Sequence, residues 1–472
     1  RSIPTTSGSM RTTILRAAFW LAGLALATAA SNCGSGDRSP LGAGCAGGAA
    51  GAPAASGGRA GSGASTGGAA GTPSSLAGAP GAAGAVGCAA PDGGAGAPGP
   101  ALAGTPERPL LQPADADRYT ILAYLAQAGT IGSLVADHWD PTTGVGDVST
   151  FAPAYTVAAD GSGSHTTVQA AITAATAAGG TSRIAILAKP GTYREVVCVP
   201  KGAPPITLYG AGNDASAVTI VYDNFAGKPA DGGANPCSGA SSTSYGTSGS
   251  ATFAVFASGF QAKNLTFSND YLETASGSNQ AVALMTQGDQ LVFENVRVLG
   301  NQDTLYVKTP STLTVSRAYF KACYVEGDVD FVFGRGTAVF DGCTLNVLTA
   351  RQGTKGGNVL APSTAAGNPY GLLVTSSMFT AAAGTPANLI ALGRAWDEGV
   401  TCYVPGSSPN GQALVRGSVL GPHIRAANPW AAAATSARPF SAAGNRLWEY
   451  QNSGPGAAGG GASDGGADAA IE

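Results

Sequence analysis

A series of short β-type segments in the middle of this chain constrains its fold more than any other feature. Several segments share a local frame of an Asn or Cys, alternating apolar residues, and a turn with Gly or Asn. The frames NLTFSN, NVRVLGN, CYVEG and CTLNVL begin at Asn264, Asn295, Cys323 and Cys343, which are 31, 28 and 20 residues apart. These spacings fall in the range of one solenoid coil with loops of variable length.

Few helical segments interrupt this series. Residues 116–129 and 167–178 have helical spacing of apolar residues, and the segments that follow are β-type. Parallel strands joined without helices argue against a doubly wound sheet, and connections of uneven length argue against an up-and-down barrel. The pattern therefore predicts an all-β parallel β-helix with a few short helices.

Composition divides the chain into four parts. Residues 1–30 contain MRTTILRAAFWLAGLALATAA from Met10, which predicts a secretory signal peptide, with an uncleaved membrane anchor as the alternative. Residues 31–106 form a linker rich in Gly, Ala, Ser and Pro that is expected to be disordered, and the tail 453–472 has the same character. Residues 107–452 are expected to form one folded domain.

The predicted signal peptide indicates an exported protein, either secreted or associated with the cell surface or an outer membrane. Cys33 follows the apolar run at the place of a lipid-anchored cysteine, but Asn32 precedes it where a small residue is usual. Membrane association is therefore expected only through lipidation of Cys33, which the sequence leaves open.

The charge pattern excludes one class of partner. The formal net charge is −3, only 11% of residues are charged, and Lys and Arg form no cluster. A nucleic-acid-binding protein needs a basic patch, so we expect no nucleic-acid partner. The same composition suits a substrate that is neutral where it is held.

Eight cysteines in an exported chain favour disulfides. If Cys323 and Cys343 occupy the same place on successive coils, their strands lie about 4.8 Å apart, which a disulfide tolerates. This pair is the predicted disulfide, and two separate buried thiols are the alternative. The partners of Cys198, Cys237 and Cys402 stay open.

Five polar residues stand in apolar or turn settings outside any charge run: Gln280, Gln302, Asp303, Asp330 and Arg394. In a stack of coils, Asp303 and Asp330 would bring two carboxyls together, which separates their pKa values into an acid and a base or nucleophile. An arginine would hold the ionised member, and the two amides suit an oxyanion. Together these residues predict acyl transfer.

Seven strings between Tyr155 and Trp396 resemble the pectin methylesterase (pectinesterase) family in their order: GSGSHTTVQAAITAA, GTYREVV, ITLYGAG, QAVAL, LGNQDTLY, GDVDFVFGRGTAVF and LGRAW. PWAAAATSARPF from Pro429 and RLWEYQNSGPG from Arg446 resemble its bacterial branch. The resemblance implies a right-handed parallel β-helix with a long exposed cleft, no metal and no organic cofactor. Methyl-esterified pectin (homogalacturonan) is the implied substrate, and we expect a monomer.

The resemblance also implies a role for each polar residue. Asp330 resembles the nucleophile that attacks the C6 methyl ester of a galacturonosyl unit. Asp303 resembles the acid that protonates departing methanol and then the base that activates water. Gln280 and Gln302 resemble the oxyanion donors, and Arg394 resembles the residue that fixes Asp330.

Three aromatic residues resemble those that line the sugar cleft of the family: Tyr306, Phe333 and Trp396. The chain departs from the family pattern at Ala395, where proline is usual, and at the Gly-Arg-Gly before Thr337, where a small residue is more usual. Neither departure removes a reacting atom.

Each candidate also has a plainer interpretation. Asp330 would otherwise be a turn acid that caps backbone amides, and Asp303 an ordinary Asx turn. Arg394 would be a surface cation, Trp396 a core aromatic, and Gln280 an amide stacked inside the coil. Glu326 and Asp328 are expected to be solvated turn residues. The three histidines are separated in sequence and predict no metal site: His138, His165 and His423.

Three functions remain in competition. The first is an exported enzyme that hydrolyses homogalacturonan methyl esters to pectate and methanol. The second is a related carboxylester or acyl-thioester hydrolase that uses the same residues, because some bacterial lipoprotein relatives are associated with other esters. The third is a catalytically silent β-solenoid that binds polysaccharide, although two adjacent acids would repel an acidic polymer.

Overall fold

The computed structural model describes residues 100–230, 235–236, 243–273, 280–400 and 403–459. The predicted signal peptide, Cys33, most of the predicted linker, and the tail from residue 460 lie outside the described residues. Cys237 and Cys402 also lie outside them, so the structure gives no pairing for either cysteine.

Strands dominate the described residues and are numbered here in chain order: β1 (Leu102–Thr105), β2 (Arg108–Leu111), β3 (Gln127–Thr130), β4 (Ser133–Ala136), β5 (Tyr155–Val157), β6 (Ile184–Ala188), β7 (Gly191–Arg194), β8 (Val197–Val199), β9 (Ile206–Gly210), β10 (Val218–Tyr222), β11 (Phe253–Val255), β12 (Gln261–Asn269), β13 (Leu284–Thr286), β14 (Leu291–Leu299), β15 (Leu305–Val307), β16 (Thr314–Val315), β17 (Arg317–Lys321), β18 (Tyr324–Gly327), β19 (Val329–Gly334), β20 (Thr337–Asp341), β21 (Thr344–Val347), β22 (Asn358–Pro362), β23 (Leu372–Thr375), β24 (Met378–Ala381), β25 (Ala391–Trp396), β26 (Gln412–Arg416), β27 (Val419–Leu420), β28 (Trp430–Ala434) and β29 (Arg446–Tyr450).

Helices are short and few among these residues: α1 (Pro113–Ala116), α2 (Ile121–Leu125), α3 (Val168–Ala178) and α4 (Gly246–Gly249), with single 3₁₀ turns at Asp117–Tyr119, Val148–Thr150, Ala215–Ala217 and Gly353–Lys355. The helix predicted over 167–178 is confirmed as α3, which the Thr167 side chain caps by accepting the Ala170 N–H at 3.2 Å. The helix predicted over 116–129 is confirmed only in part, because helical turns reach Leu125 with a break at Thr120, and the chain then enters β3. None of the described helices has the length and apolar character needed to cross a membrane.

Successive coils stack through parallel strands, which confirms the predicted parallel β-helix. One sheet contains only parallel neighbours, in the order β8, β11, β13, β15, β19, β22, β25 and β28. Two further parallel ladders complete the coil, one through β6, β9, β17 and β20 and one through β7, β10, β18 and β21. The long strands β12 and β14 take part in both ladders.

The interior of the stack is apolar and repeats from coil to coil. The rings of Phe293, Phe320 and Phe340 lie face to face, with 4.7 Å between successive centroids and 9° between ring planes. All three side chains are fully buried. Such in-register stacking follows from parallel pairing, since equivalent residues of neighbouring coils are one strand spacing apart.

The repeated frame in the sequence marks one corner of the coil. Each coil turns there through a residue with positive φ: Asn264 (58°), Asn295 (49°), Ala322 (50°), Gly342 (62°), Ser376 (51°), Gly417 (53°) and Gln451 (50°). Asn tolerates this left-handed conformation better than most residues. The Asn frames therefore begin on the corner residue, whereas the Cys frames begin one residue after it.

A ladder of hydrogen bonds follows this corner through five coils. The N–H of Cys323 donates to Sγ of Cys343 at 3.3 Å, and the N–H of Cys343 donates to Oγ of Ser377 at 2.9 Å. The N–H of Ser377 donates to Oγ of Ser418 at 3.2 Å, and that of Ser418 to Oδ1 of Asn452 at 3.1 Å. Each coil thus supplies the acceptor for the coil before it.

The predicted disulfide is wrong, although its premise of stacked cysteines is correct. Cys323 and Cys343 are buried free thiols, which is the alternative considered from the sequence. Their Sγ atoms point the same way and each donates to a carbonyl of the preceding coil, that of Phe293 or Phe320, at 3.4 Å. A disulfide requires the two Cβ atoms to converge, and parallel in-register side chains do not converge.

The N-terminal segment lies beside the last coils. Strand β2 pairs with β29, and Arg108 forms a buried ion pair with Glu449 at 2.7 Å. Tyr124 of α2 accepts a hydrogen bond from Nε2 of Gln412 at 2.7 Å. Strand β1 falls within the predicted linker, and Ser453 forms a bridge with Val419, so ordered strands and bridges extend slightly beyond 107–452 at both ends.

Replacing Cys343 tests the ladder and the free thiols together. We expect Cys343→Ser to lie within about 1 kcal/mol of the native free energy of unfolding, because Oγ keeps both hydrogen bonds as Ser377 does. We expect Cys343→Ala to lose about 1–2 kcal/mol more than Cys343→Ser, because the buried Cys323 N–H loses its acceptor. Urea unfolding measures the free energy of unfolding of both variants. Ser377→Ala tests a second hydrogen bond of the ladder, because the Cys343 N–H then loses its acceptor. A loss of about 3 kcal/mol or more in Cys343→Ser would instead indicate a disulfide.

Candidate active site

The predicted site residues lie in, or just before, neighbouring strands of the eight-stranded parallel sheet. Gln280 precedes β13, Gln302 and Asp303 precede β15, Asp330 lies in β19, and Arg394 lies in β25. These strands are successive in the sheet, with only β22 between the last two. The coil stack thus brings together residues that are more than 100 positions apart in sequence.

Asp330 sits at an irregular point of its strand. Its φ is 50°, and the pairing of β19 with β22 shifts between Val329 and Val332. The carboxylate, on a residue only 5% exposed, accepts from Nε of Arg394 at 2.9 Å and from Nη2 at 2.6 Å. This fork of charge-assisted bonds fixes the orientation of the carboxylate.

Asp303 occupies the neighbouring coil. Its N–H donates to the carbonyl of Val329 at 3.1 Å, and its φ is 63°. Burial raises the pKa of Asp303 well above its usual range, and the negative charge of Asp330 raises it further, although Arg394 and Gln302 act in the opposite direction. The two carboxyls thus differ in environment: one is paired with a cation, and the other is buried in a way that favours its protonated form.

The two glutamines are each 5% exposed. Gln280 lines the same cleft as Asp303 and Asp330, and the carbonyl of Gln302 accepts the N–H of Ala281 at 3.3 Å. The Gln302 side chain lies near enough to Asp303 to lower the pKa of its carboxyl. Amide groups are therefore present beside the carboxyl pair without adding charge.

An aromatic surface adjoins this pair. Phe333 stacks on Tyr306 with centroids 4.3 Å apart and lies 5.6 Å from Trp396. Phe333 and Trp396 line the cleft together with Asp303 and Asp330. Sequence reasoning missed the small residues that complete the lining, because such residues carry no chemical signal: Thr247, Ala361 and Ala434.

The expectation for Asp328 is wrong. It is 1% exposed, and its carboxylate accepts from Nε and Nη2 of Arg351, each at 2.6 Å. Arg351 also pairs with Glu273, which lies two coils before Asp328. The buried partner comes from a later coil, 23 residues on, so the local sequence around Asp328 gives no hint of its burial.

The described residues hold no group of three or more His, Cys, Asp or Glu side chains placed to bind a metal ion.

Known proteins are similar to this chain in fold and in sequence. The profile of the Pectinesterase family matches residues 154–404. A pectinesterase from Ralstonia nicotianae is 53% identical over 369 residues, which cover 75% of this chain and 93% of that protein. A putative acyl-CoA thioester hydrolase of Escherichia coli, YbhC, is 31% identical over 405 residues, which cover 75% of this chain and 89% of that protein.

Among solved structures, the rice weevil pectin methyl esterase superposes with a TM-score of 0.66 at 36% sequence identity, covering 76% of this chain and 100% of that chain. The family profile spans the strands that carry all five polar candidates. The chain therefore belongs to the pectinesterase family, whose members are carboxylic ester hydrolases.

Proposed function

We propose that this protein is a pectinesterase that hydrolyses the C6 methyl esters of homogalacturonan to pectate and methanol. In this proposal Asp330 is the nucleophile and Asp303 is the general acid and base. The observation that carries it is the neighbouring pair of carboxyls in different environments, one forked by Arg394 and the other buried beside it.

In the first step an oxygen of the Asp330 carboxylate attacks the C6 carbonyl carbon of the methyl ester. The carbonyl oxygen becomes an oxyanion, which the amides of Gln280 and Gln302 stabilise. The C6–O bond to the methoxy group then breaks, and protonated Asp303 gives its proton to the leaving oxygen. Methanol departs and an acyl anhydride joins the substrate to Asp330.

In the second step Asp303, now ionised, takes a proton from water. The resulting hydroxide adds to C6, and the bond between C6 and Asp330 breaks. The products are a galacturonate carboxyl group, ionised Asp330 and protonated Asp303, so the site returns to its starting state. Arg394 keeps the Asp330 carboxylate oriented through both steps.

The cleft beside the carboxyl pair suits a sugar substrate. Trp396 and the largely buried Phe333 line the cleft next to Asp330. Pyranose rings have apolar faces that pack on aromatic side chains, and a methyl-esterified unit carries no charge. These surfaces support a polysaccharide ester rather than a small charged ester.

A thioester substrate is the second candidate. It is favoured by the name of the Escherichia coli relative, a putative acyl-CoA thioester hydrolase. The same nucleophile and acid would cleave a thioester by the same two steps.

Asp330→Asn tests the nucleophile. We expect methanol release from methylated pectin to fall at least about 10³-fold, because a neutral amide does not form the anhydride. The matched control is Asp214→Asn, which alters an exposed Asx turn far from the cleft in sequence and leaves methanol release unchanged. Circular dichroism and the melting temperature establish folding. Undiminished methanol release by folded Asp330→Asn would exclude this assignment.

The pKa of Asp303 tests the coupling of the two acids. We expect it to fall in Asp330→Asn, because the negative charge that raises it is gone, yet to stay above its usual value because burial remains. We expect it to rise further in Arg394→Gln, where a cation that lowers it is removed. Carboxyl ¹³C NMR titration measures both. Shifts of the same sign in the two variants would contradict the proposed charge arrangement.

A direct comparison of substrates decides between the two candidate functions. We expect the purified protein to release methanol from methylated pectin with a kcat/KM at least about tenfold above its kcat/KM for acyl-CoA thioesters. Thiol release monitored with a chromogenic disulfide reports the second reaction. The opposite ranking would favour the thioesterase, and failure of Asp330→Asn to affect either reaction would exclude a shared site.

A further inference from the structure

Three pairs of side chains connect β19 and its C-terminal extension with β25 and its extension. The first pair is Asp330 with Arg394, and the second is Phe333 with Trp396. The third is Arg335 with Glu398, which form an ion pair. The first pair belongs to the proposed chemistry and the second to the sugar surface, whereas the third pair has no role so far.

The third pair, called here the rim pair, comes directly after the cleft-lining residues Phe333 and Trp396 along the chain. Arg335 follows Phe333 by two residues and Glu398 follows Trp396 by two residues, so each extends its strand past the aromatic surface. The Arg335 side chain is 13% exposed and that of Glu398 is 22% exposed. Both charges thus remain within reach of a polymer that lies on the aromatic surface.

The loop that carries Glu398 is held firmly. Its neighbour Asp397 is fully buried and accepts from Nε and Nη2 of Arg438, each at 3.0 Å. On the other side, the Gly399 N–H donates to Oγ1 of Thr435 at 3.0 Å. Glu398 itself has a φ of 50°, which is unfavourable for a glutamate.

Stability alone does not account for this arrangement. A largely buried ion pair adds little net stability, because removing both charges from water offsets their attraction, and a left-handed glutamate opposes folding. Strained residues held by their surroundings are concentrated at functional sites. The geometry therefore suggests that Glu398 is presented to Arg335 for a purpose other than stability.

We propose that Arg335 binds the free carboxylate of a galacturonate unit in the same polymer, and that Glu398 competes with this carboxylate for the guanidinium. This inference rests on the proposed pectinesterase function. Because Phe333 and Trp396 lie between Asp330 and Arg335 along the strands, the bound carboxylate belongs to a different unit from the ester that is cleaved.

The chemistry of the polymer explains why the two rim residues are both needed. A methyl-esterified unit is neutral and leaves the Arg335–Glu398 pair in place, whereas an ionised unit offers the two oxygens that an arginine fork binds. Glu398 lowers the affinity for such a unit and so limits retention of the de-esterified product. The pair thus adjusts how strongly the enzyme responds to carboxylates near the reacting ester.

The two rim variants should shift affinity in opposite directions. We expect Arg335→Gln to raise the KM for half-methylated oligogalacturonides, relative to fully methylated ones, by roughly three- to tenfold, and to weaken inhibition by unmethylated oligomers equally. We expect Glu398→Gln to lower that KM ratio and to strengthen the inhibition, because the guanidinium loses its competitor. Asp214→Asn, on the exposed Asx turn, is the control that leaves both quantities at the native value.

A purely structural role for the Arg335–Glu398 pair predicts a different result. Both variants would then loosen the same rim, so their effects on the KM ratio and on inhibition would have the same sign, and this outcome would overturn the proposal. Arg335→Lys keeps the charge without the fork, and we expect its KM ratio to lie between those of the native protein and Arg335→Gln. This variant keeps the test decisive if the melting temperature shows that Arg335→Gln is unfolded.

Direct binding separates this inference from the proposed function. Calorimetry with unmethylated oligogalacturonides needs no turnover, and we expect the same opposite shifts in Kd for Arg335→Gln and Glu398→Gln. Methanol release by the native protein with no change of Kd in either variant would refute only the rim proposal. Opposite Kd shifts without methanol release by the native protein would refute only the pectinesterase.

Discussion

Parallel backbone pairing between successive coils is the constraint on which the rest of this structure depends. It fixes neighbouring strands about 4.8 Å apart and in register, so equivalent side chains of successive coils become neighbours. In the interior this produces the stack of Phe293, Phe320 and Phe340. On the outer face the same spacing places Asp303 beside Asp330. Their mutual repulsion is offset by Arg394 and limited by the tendency of buried Asp303 to keep its proton.

The candidate active site contains the same backbone conformation, a residue with positive φ, as the corner of the coil. Corner residues such as Asn264 and Asn295 adopt positive φ to turn the chain, and Asp303 and Asp330 adopt it as well, at 63° and 50°. At the corner the positive φ preserves the parallel strand pairing, because the strands continue in register on both sides. At the site it interrupts the regular alternation of the strand, so the Asp330 carboxyl group reaches the cleft although the next two side chains, Phe331 and Val332, are fully buried in the core.

The sequence predicts the coil stack and the membership of the site because both depend on patterns that repeat or on motifs in a fixed order. The frames at Asn264, Asn295, Cys323 and Cys343 give the corner to within one residue. The errors concern relations between coils. The disulfide assumed that stacked cysteines face each other, whereas parallel register makes their side chains point the same way. Burial of Asp328 depends on Arg351 from a later coil, which spacing alone does not reveal.

The end of the solenoid has a consequence for how the chain assembles. Arg108 and Glu449 are separated by 341 residues, yet they form a buried pair in which β2 continues the ladder of β29. Stacking of the coils between them is local and proceeds from neighbour to neighbour, whereas this contact closes a loop that spans nearly the whole domain. During synthesis the segment around Arg108 leaves the ribosome before the coils do, but it has no docking surface until the last coil exists. Strand β2 is thus made before the coils but pairs with β29 only after the last coil has formed.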